Sequence, residues 1–143
     1  MPFVKIWIHA VWATKSRKLL LTKEIRSKIF EHIKENAKKK EIFIDCVNGH
    51  IEHVHCLISL GTEQNIAKVI QLIKGESSYW INKENLLKNK FEWQDEYFAV
   101  SISESGIGSV REYIHNQEEH HKKKTFQQEY DEFIEKYGWK VLG

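Results

Sequence analysis

The chain has 143 residues, of which 41% are hydrophobic and 29% charged, with a formal net charge of +2. That is one domain's worth of ordinary globular composition, enough for a real core and too balanced in charge to mark a nucleic-acid binder by itself. No apolar run approaches the ~20 residues of a membrane span, and the N-terminus lacks a signal-peptide layout, so no membrane partner is expected and the expected location is the cytoplasm.

Phe3, Val4, Ile6, Trp7, Ile8, Val11 and Trp12 predict a first strand over 3–13. A basic loop, 14–21, carries Lys15, Arg17 and Lys18. Thr22 is the expected N-cap of an amphipathic helix over 23–40, with Ile25, Ile29, Ile33 and Ala37 four residues apart. A second strand over 41–48 puts Ile42, Ile44 and Cys46 on one face, and Asn48-Gly49 reads as a turn. The third strand spans 52–60 and a second helix about 64–83, marked by Ile66, Val69, Ile70 and Ile73. After a polar connector, 95–103 reads as the fourth strand. Gly106 and Gly108 lie in an expected flexible connector. Ser109 and Glu112 have capping-box spacing, so a third helix is expected to begin at Ser109. A fourth runs from Thr125 to about Tyr137, stopped by Gly138.

Strand, helix, strand, strand, helix, strand is the split βαβ order: an α+β, ferredoxin-like (RRM-like) four-stranded antiparallel sheet in a single domain, 1–143. Helices are expected on one face, the other being open to a ligand, with a tyrosine-bearing helix appended at the C-terminal end. Cys46 and Cys56 form no C-x-x-C pair and read as reduced core residues.

Chemistry concentrates at two places. In Glu52-His53-Val54-His55-Cys56-Leu57-Ile58, strand alternation puts His53 and His55 on one face, with Cα atoms ~7 Å apart, while Val54, Cys56 and Ile58 face the core. That spacing lets two imidazoles converge on one cation; equally, it suits two partly exposed histidines on a sheet. Tyr113 and Gln117 are one helical turn apart. A tyrosine near a helix N-terminus, where phosphate is favoured, can attack a phosphate while the glutamine amide oxygen supplies a third metal ligand. Viewed alone, the same pair suits a core tyrosine and a solvated glutamine.

Taken together, His-x-His on a late strand and Tyr-x-x-x-Gln on a later helix resemble the single-tyrosine HUH transposases of small insertion sequences and the REP-associated tyrosine transposases. The likeness runs from Ile8-His9-Ala10-Val11-Trp12-Ala13-Thr14-Lys15 through Lys74-Gly75-Glu76-Ser77-Ser78 to Tyr97-Phe98 and Tyr113–Gln117. It implies that His53, His55 and Gln117 hold a divalent cation, magnesium or manganese, and that Tyr113 is the nucleophile. It further implies metal-dependent cleavage of single-stranded DNA, a 5′-phosphotyrosine intermediate, strand transfer and recognition of hairpins. The glycine connector, Gly106 and Gly108, matches a hinge before the tyrosine helix. A homodimer is expected, with sites shared across the dimer in some members, although REP-associated relatives can be monomers. Glu52 stands where many members have Asp and keeps the carboxylate.

Lys15, Arg17 and Lys74 are the expected phosphate contacts. Trp12, Trp80 and Trp93 are candidates to stack bases, with core packing expected for at least two. The competing readings are a replication-initiating HUH nickase, for whose further domains the chain has no room, an RRM-type binding module, which would need paired exposed aromatics on its central strands, and an inactive domesticated transposase.

Overall fold

The computed structural model describes residues 2–136. Its elements are β1 (Trp7–Ala13), α1 (Lys23–Lys39), β2 (Phe43–Gly49), β3 (His53–Ser59), α2 (Ile66–Lys83), β4 (Phe98–Ile102), α3 (Ile107–His115), α4 (Gln117–His121) and α5 (Phe126–Lys136). The strands form one antiparallel sheet in the order β2-β3-β1-β4. This is the expected ferredoxin-like α+β arrangement. No helix among the described residues is long and apolar enough to cross a membrane. The stop expected at Tyr137 and Gly138 lies outside the described residues.

The two central strands, β1 and β3, are buried along nearly their whole length. On one face Ile8, Ala10, Trp12, Val54, Cys56 and Ile58 meet the apolar stripes of α1 (Ile29, Phe30, Ile33, Ala37) and α2 (Val69, Ile70, Ile73, Ile81). Each fully buried aliphatic side chain there contributes roughly 1.5–3 kcal/mol. Trp12 and Trp93 pack edge to face in this core, as expected for two of the three tryptophans, and Trp80 stacks on His32.

The opposite face is not open, contrary to expectation. Trp7, Cys46 and Leu57 pack against Ile107 and Ile114 of α3, and Val11 and Ala13 against Phe126 and Phe133 of α5. The C-terminal helices therefore roof the face that carries His53 and His55. Apolar residues on both faces of β1 and β3 demand a second covering layer.

Strand β2 departs from simple alternation. Ile44 pairs with Ile58 and Cys46 with Leu57, leaving Asp45 as the extra residue of a β-bulge. Ile42 and Ile44 thus join the α1/α2 core while Cys46 turns to the α3 side, so the three do not share a face. The bulge aims the Asp45 carboxylate at Arg111 of α3, which donates to it twice, at 2.7 and 2.8 Å. Asn48 and Gly49 are not the turn; both belong to β2, and His50–Glu52 make the connection. Asn48 Nδ2 instead donates to the carbonyls of Ile114 and His115, at 2.9 and 3.2 Å, capping the end of α3.

Helix α3 starts at Ile107, not Ser109, and its N-cap, Gly106, makes no side-chain cap bond, so the expected capping box does not form. Burial of Ile107 beside Ile114, seven residues on, draws the helix start back. Likewise Thr22 stands at the N-cap of α1 without a side-chain bond.

Candidate active site

His53 and His55 are fully buried on the roofed face of β3. The register of β1 against β3 places His9 next to them, since His9 pairs with Leu57, flanked by the Val11–His55 pair. Each imidazole is oriented by a partner on its Nδ1. His53 Nδ1 lies 2.7 Å from Glu52 Oε1, and His55 Nδ1 lies 2.9 Å from His9 Nε2. Were Nδ1–H to donate in each case, as a bound cation would require, both Nε2 lone pairs would face the same small space. A hydrogen-bonded second layer of this kind is what fixes the tautomer of metal-ligating histidines.

Gln117 comes to that space from the other side. Its Oε1 lies 3.0 Å from His53 Nε2 and its side chain is fully buried. Tyr113 and Gln117 do not share one continuous helix: Asn116 breaks the chain between α3 and α4, so Tyr113 lies late in α3 and Gln117 opens α4. Tyr113 is therefore not near a helix N-terminus. Its ring nonetheless sits 5.7 Å from that of His55 and 6.2 Å from that of His9, centroid to centroid.

The centre of the cluster is a residue that motif reading passed over. Glu129 of α5 is 1% exposed. Its Oε1 lies 3.1 Å from His55 Nε2, 3.3 Å from His53 Nε2 and 3.3 Å from His121 Nε2. Its Oε2 accepts the Tyr113 hydroxyl and lies 3.2 Å from both Gln117 Nε2 and His120 Nε2. His121 also reaches Gln117 Oε1, at 3.1 Å. Two signals for these residues stand in the sequence. His121 continues the four-residue spacing of Tyr113 and Gln117 by one more turn. Glu129 interrupts the apolar stripe of Phe126 and Phe133, at spacings of three and four.

The electrostatics are those of a sealed, mixed-charge site. Burial holds His55 down at about 4 and His9 at about 3, so both are neutral at pH 7. Burial also works against the charged form of His53, but hydrogen bonds to Glu129 and Glu52 prevail and hold it above its ordinary value. For Glu129 burial favours the neutral acid, yet hydrogen bonds from His121, His53 and His55 outweigh it and keep the carboxylate ionised. Burial, then the adjacent Glu129, pushes the Tyr113 phenol up beyond its ordinary range. Tyr113 is thus a protonated phenol already bonded to a carboxylate.

The donor set fits a divalent cation. His53, His55 and Glu129 place one ligand atom each within 4.8 Å of one another, as do His120, His121 and Glu129. With the amide oxygen of Gln117, the residues offer imidazole nitrogens and hard oxygens, the donors that first-row divalent ions take.

The expected phosphate contacts lie in different settings. Lys15 is exposed and pairs with Glu92 at 3.0 Å. Arg17 donates to Gln127 and lies over the rings of Phe126 and Tyr130, at 4.9 and 5.5 Å, on the wall of a cleft of about 590 Å³ shared with Tyr97 and Phe98. Phe126 stacks on His53, with centroids 4.1 Å apart, so this cleft adjoins the histidine cluster. Lys74 is half-buried and its ammonium is spent on the carbonyls of Gln94 and Asp95, tying down the segment before β4. Gly106 and Gly108 are not a loose connector: one caps α3, the other lies inside it.

Residues 3–117 match the family described as "Transposase IS200 like". The chain is 24% identical over 115 residues to the ISDra2 transposase TnpA of Deinococcus radiodurans, covering 76% of this chain and 81% of that protein. A crystal structure of a putative transposase from Deinococcus radiodurans superposes with a TM-score of 0.66 at 22% identity, covering 81% of this chain and 93% of that one. A REP-associated tyrosine transposase bound to a REP hairpin superposes with a TM-score of 0.53 at 19% identity, over 80% and 66% of the two chains.

Proposed function

Because the chain belongs to the IS200-like family of single-tyrosine HUH transposases, we propose that it cuts single-stranded DNA with Tyr113 and transfers the cut strand, in a reaction that depends on a divalent cation held by His53, His55 and Gln117. The observation that carries this reading is the convergence, within one chain, of the Tyr113 hydroxyl, the two outward-facing Nε2 atoms and the Gln117 amide oxygen around one buried carboxylate.

A cation bound there would supply Lewis-acid charge to a non-bridging oxygen of the scissile phosphate and to the departing 3′ oxygen. The chain's own groups do the rest. With the cation bound, Glu52 and His9 would accept the Nδ1 protons and hold the two imidazoles in the ligating tautomer. Glu129 Oε2 is positioned to receive the phenolic proton as the Tyr113 oxygen attacks phosphorus. The attack forms a 5′-phosphotyrosine bond and breaks the bond to the 3′ oxygen, which leaves as a free hydroxyl. Attack by another 3′-hydroxyl reverses the step and joins strands without ATP.

Hairpin DNA is the proposed substrate, in keeping with the hairpin-bound relative. Arg17, at the mouth of the aromatic cleft, and exposed Lys15 are the proposed phosphate contacts; Lys74 acts by holding the cleft's edge. Tyr113, His53, His55 and Gln117 meet within one chain, and a homodimer is the proposed assembly.

The test is a covalent adduct. Wild type with labelled hairpin-bearing single strands and Mn²⁺ gives a protein–DNA band on a denaturing gel, with the label on the peptide containing Tyr113. Tyr113→Phe binds DNA and forms no adduct. An adduct persisting in Tyr113→Phe overturns the assignment of the nucleophile.

A further inference from the structure

Glu129 is enclosed, so a proton that it takes from Tyr113 needs a way out. We propose that His120 is that way out: a relay residue whose ring passes the phenolic proton from Glu129 Oε2 to water in the neighbouring cleft, and back again when strands are rejoined. The inference rests on the tyrosine reading above and deepens it.

Reaction geometry creates the need. In an in-line displacement the attacking and departing oxygens stand on opposite sides of phosphorus. A proton that Glu129 takes from the Tyr113 oxygen therefore lies across the phosphate from the 3′ oxygen that must gain one. Left on the carboxyl group, it stays beside the new phosphotyrosine bond and favours reversal. Passed to solvent, it commits the cut. The 3′ oxygen takes its proton from water, so the two transfers balance.

The surroundings of Glu129 leave one outlet. His53 and His55 would turn their Nε2 atoms to the proposed cation, and the Gln117 amide takes no proton. His121 Nε2 is 3.3 Å from Glu129 Oε1, but its Nδ1 faces the Lys124 carbonyl at 2.9 Å, which accepts a hydrogen bond and carries no proton onward. The His121 side chain is also only 3% exposed. His120 differs on each count. Its Nε2 lies 3.2 Å from Glu129 Oε2, the oxygen that accepts the Tyr113 hydroxyl, and 3.3 Å from that hydroxyl. Its side chain is 21% exposed, and its Nδ1 has no hydrogen-bond partner among the described residues. With Tyr113, Asn116 and Lys123 it lines a cleft of about 620 Å³. The ring thus joins the buried carboxylate to open water.

Local structure puts it there. On one continuous helix, residues seven apart stand ~10 Å apart along the axis, beyond contact. The break at Asn116 redirects α4, and the His120 ring comes back to 5.1 Å from that of Tyr113, centroid to centroid. Burial holds the His120 imidazole below its ordinary value, so it is neutral at pH 7 and able to accept. For an outgoing proton it must hold its own proton on Nδ1. Nε2 then takes the proton from the Glu129 carboxyl group, and Nδ1 releases one to the cleft.

The test is rescue by free imidazole. Adduct formation is followed in single turnovers with Mn²⁺ and a labelled hairpin-bearing strand. His120→Ala should slow it by at least about tenfold, with DNA affinity by gel shift and Mn²⁺ affinity both as in wild type. Added imidazole should raise the rate of His120→Ala in proportion to its concentration and leave wild type unchanged. His120→Gln keeps a hydrogen-bonding side chain but cannot shuttle a proton, and should be as slow as the alanine variant. A wild-type rate in either variant, or a His120→Ala rate that imidazole does not raise, overturns the relay, while the wild-type adduct leaves the tyrosine reading standing. Weakened Mn²⁺ binding in His120→Ala would make the residue a ligand and overturn the relay as well. If wild type forms no adduct, the tyrosine reading fails and the relay with it.

Discussion

His9 Nε2 and His55 Nδ1 lie 2.9 Å apart, between neighbouring strands, with both rings buried. Burial keeps both imidazoles neutral, so one ring donates to the other, and a cation on His55 Nε2 would put the proton on His55 Nδ1 and make His9 the acceptor. His9→Phe keeps a ring in the space but removes the acceptor. Metal affinity is expected to fall about 10- to 100-fold, as for loss of other outer-layer partners. His9→Gln, which still offers an acceptor, should recover part of the loss. Equal affinity in wild type and His9→Phe, by metal titration, would show that the contact does not orient the ligand.

Removal of the metal should abolish cleavage while sparing recognition. EDTA is expected to stop adduct formation, and added Mn²⁺ to restore it. His55→Ala should likewise lose cleavage yet bind hairpin DNA with near wild-type affinity in a gel-shift assay, because on the proposed reading the buried imidazole serves the metal and not the DNA backbone. Full cleavage in EDTA would remove the cation from the mechanism.

Gly49 is required by contact. A Cβ there would stand 2.1 Å from the carbonyl oxygen of His53, a backbone atom that cannot swing aside. Gly49→Ala must push β2 and β3 apart just where His53 leaves the turn. The expected cost is about 1–3 kcal/mol, read as a lower midpoint in thermal denaturation, together with weaker metal binding.

Gly106 and Gly108 give a contrasting prediction. A Cβ on Gly108 meets nothing within 4 Å, and one on Gly106 meets Ser103 Oγ at 3.3 Å and Ile102 Cγ2 at 3.4 Å. Gly108 is not demanded by the folded geometry, so Gly108→Ala should stabilise α3 by about 0.5–1 kcal/mol, whereas at Gly106 the Ser103 hydroxyl must give way to admit a Cβ. If the two glycines let the tyrosine helix move, the double alanine variant will transfer strands more slowly although it folds and binds DNA as before. Unchanged transfer would leave them as plain helix-start residues.

Much of this site was legible in the sequence because strand alternation and helical spacing are local. His53 and His55 had to share a face once 53–59 was a strand, and Gln117 lay one turn from Tyr113. What was hidden depended on long-range packing. The bulge at Asp45 cannot be seen in Ile42-Phe43-Ile44-Asp45-Cys46, whose alternation looks regular until β3 fixes the register. The Ser109–Glu112 capping box was a sound local signal that lost to burial of Ile107. Glu129 stands 74 residues from His55, and no spacing rule links them. Its one trace was an acid in the apolar stripe of α5. Lys74 had the right charge for a phosphate, but only folding reveals that backbone carbonyls already surround it.

The extra residue in β2 has a consequence for how this chain can vary. From Cys46 onward, β2 runs half a period out of phase with its beginning, and that offset brings Asn48 round to hold the last carbonyls of α3, while Asp45 itself holds Arg111. The aim of the Tyr113 helix is thereby set by a count of residues on the far edge of the sheet. Loss of a single residue there would restore regular pleating, turn Asn48 to the wrong side and leave Tyr113 unmoored, with every residue of the histidine cluster intact. Along this edge the number of residues matters as much as the Asp45 and Asn48 side chains themselves.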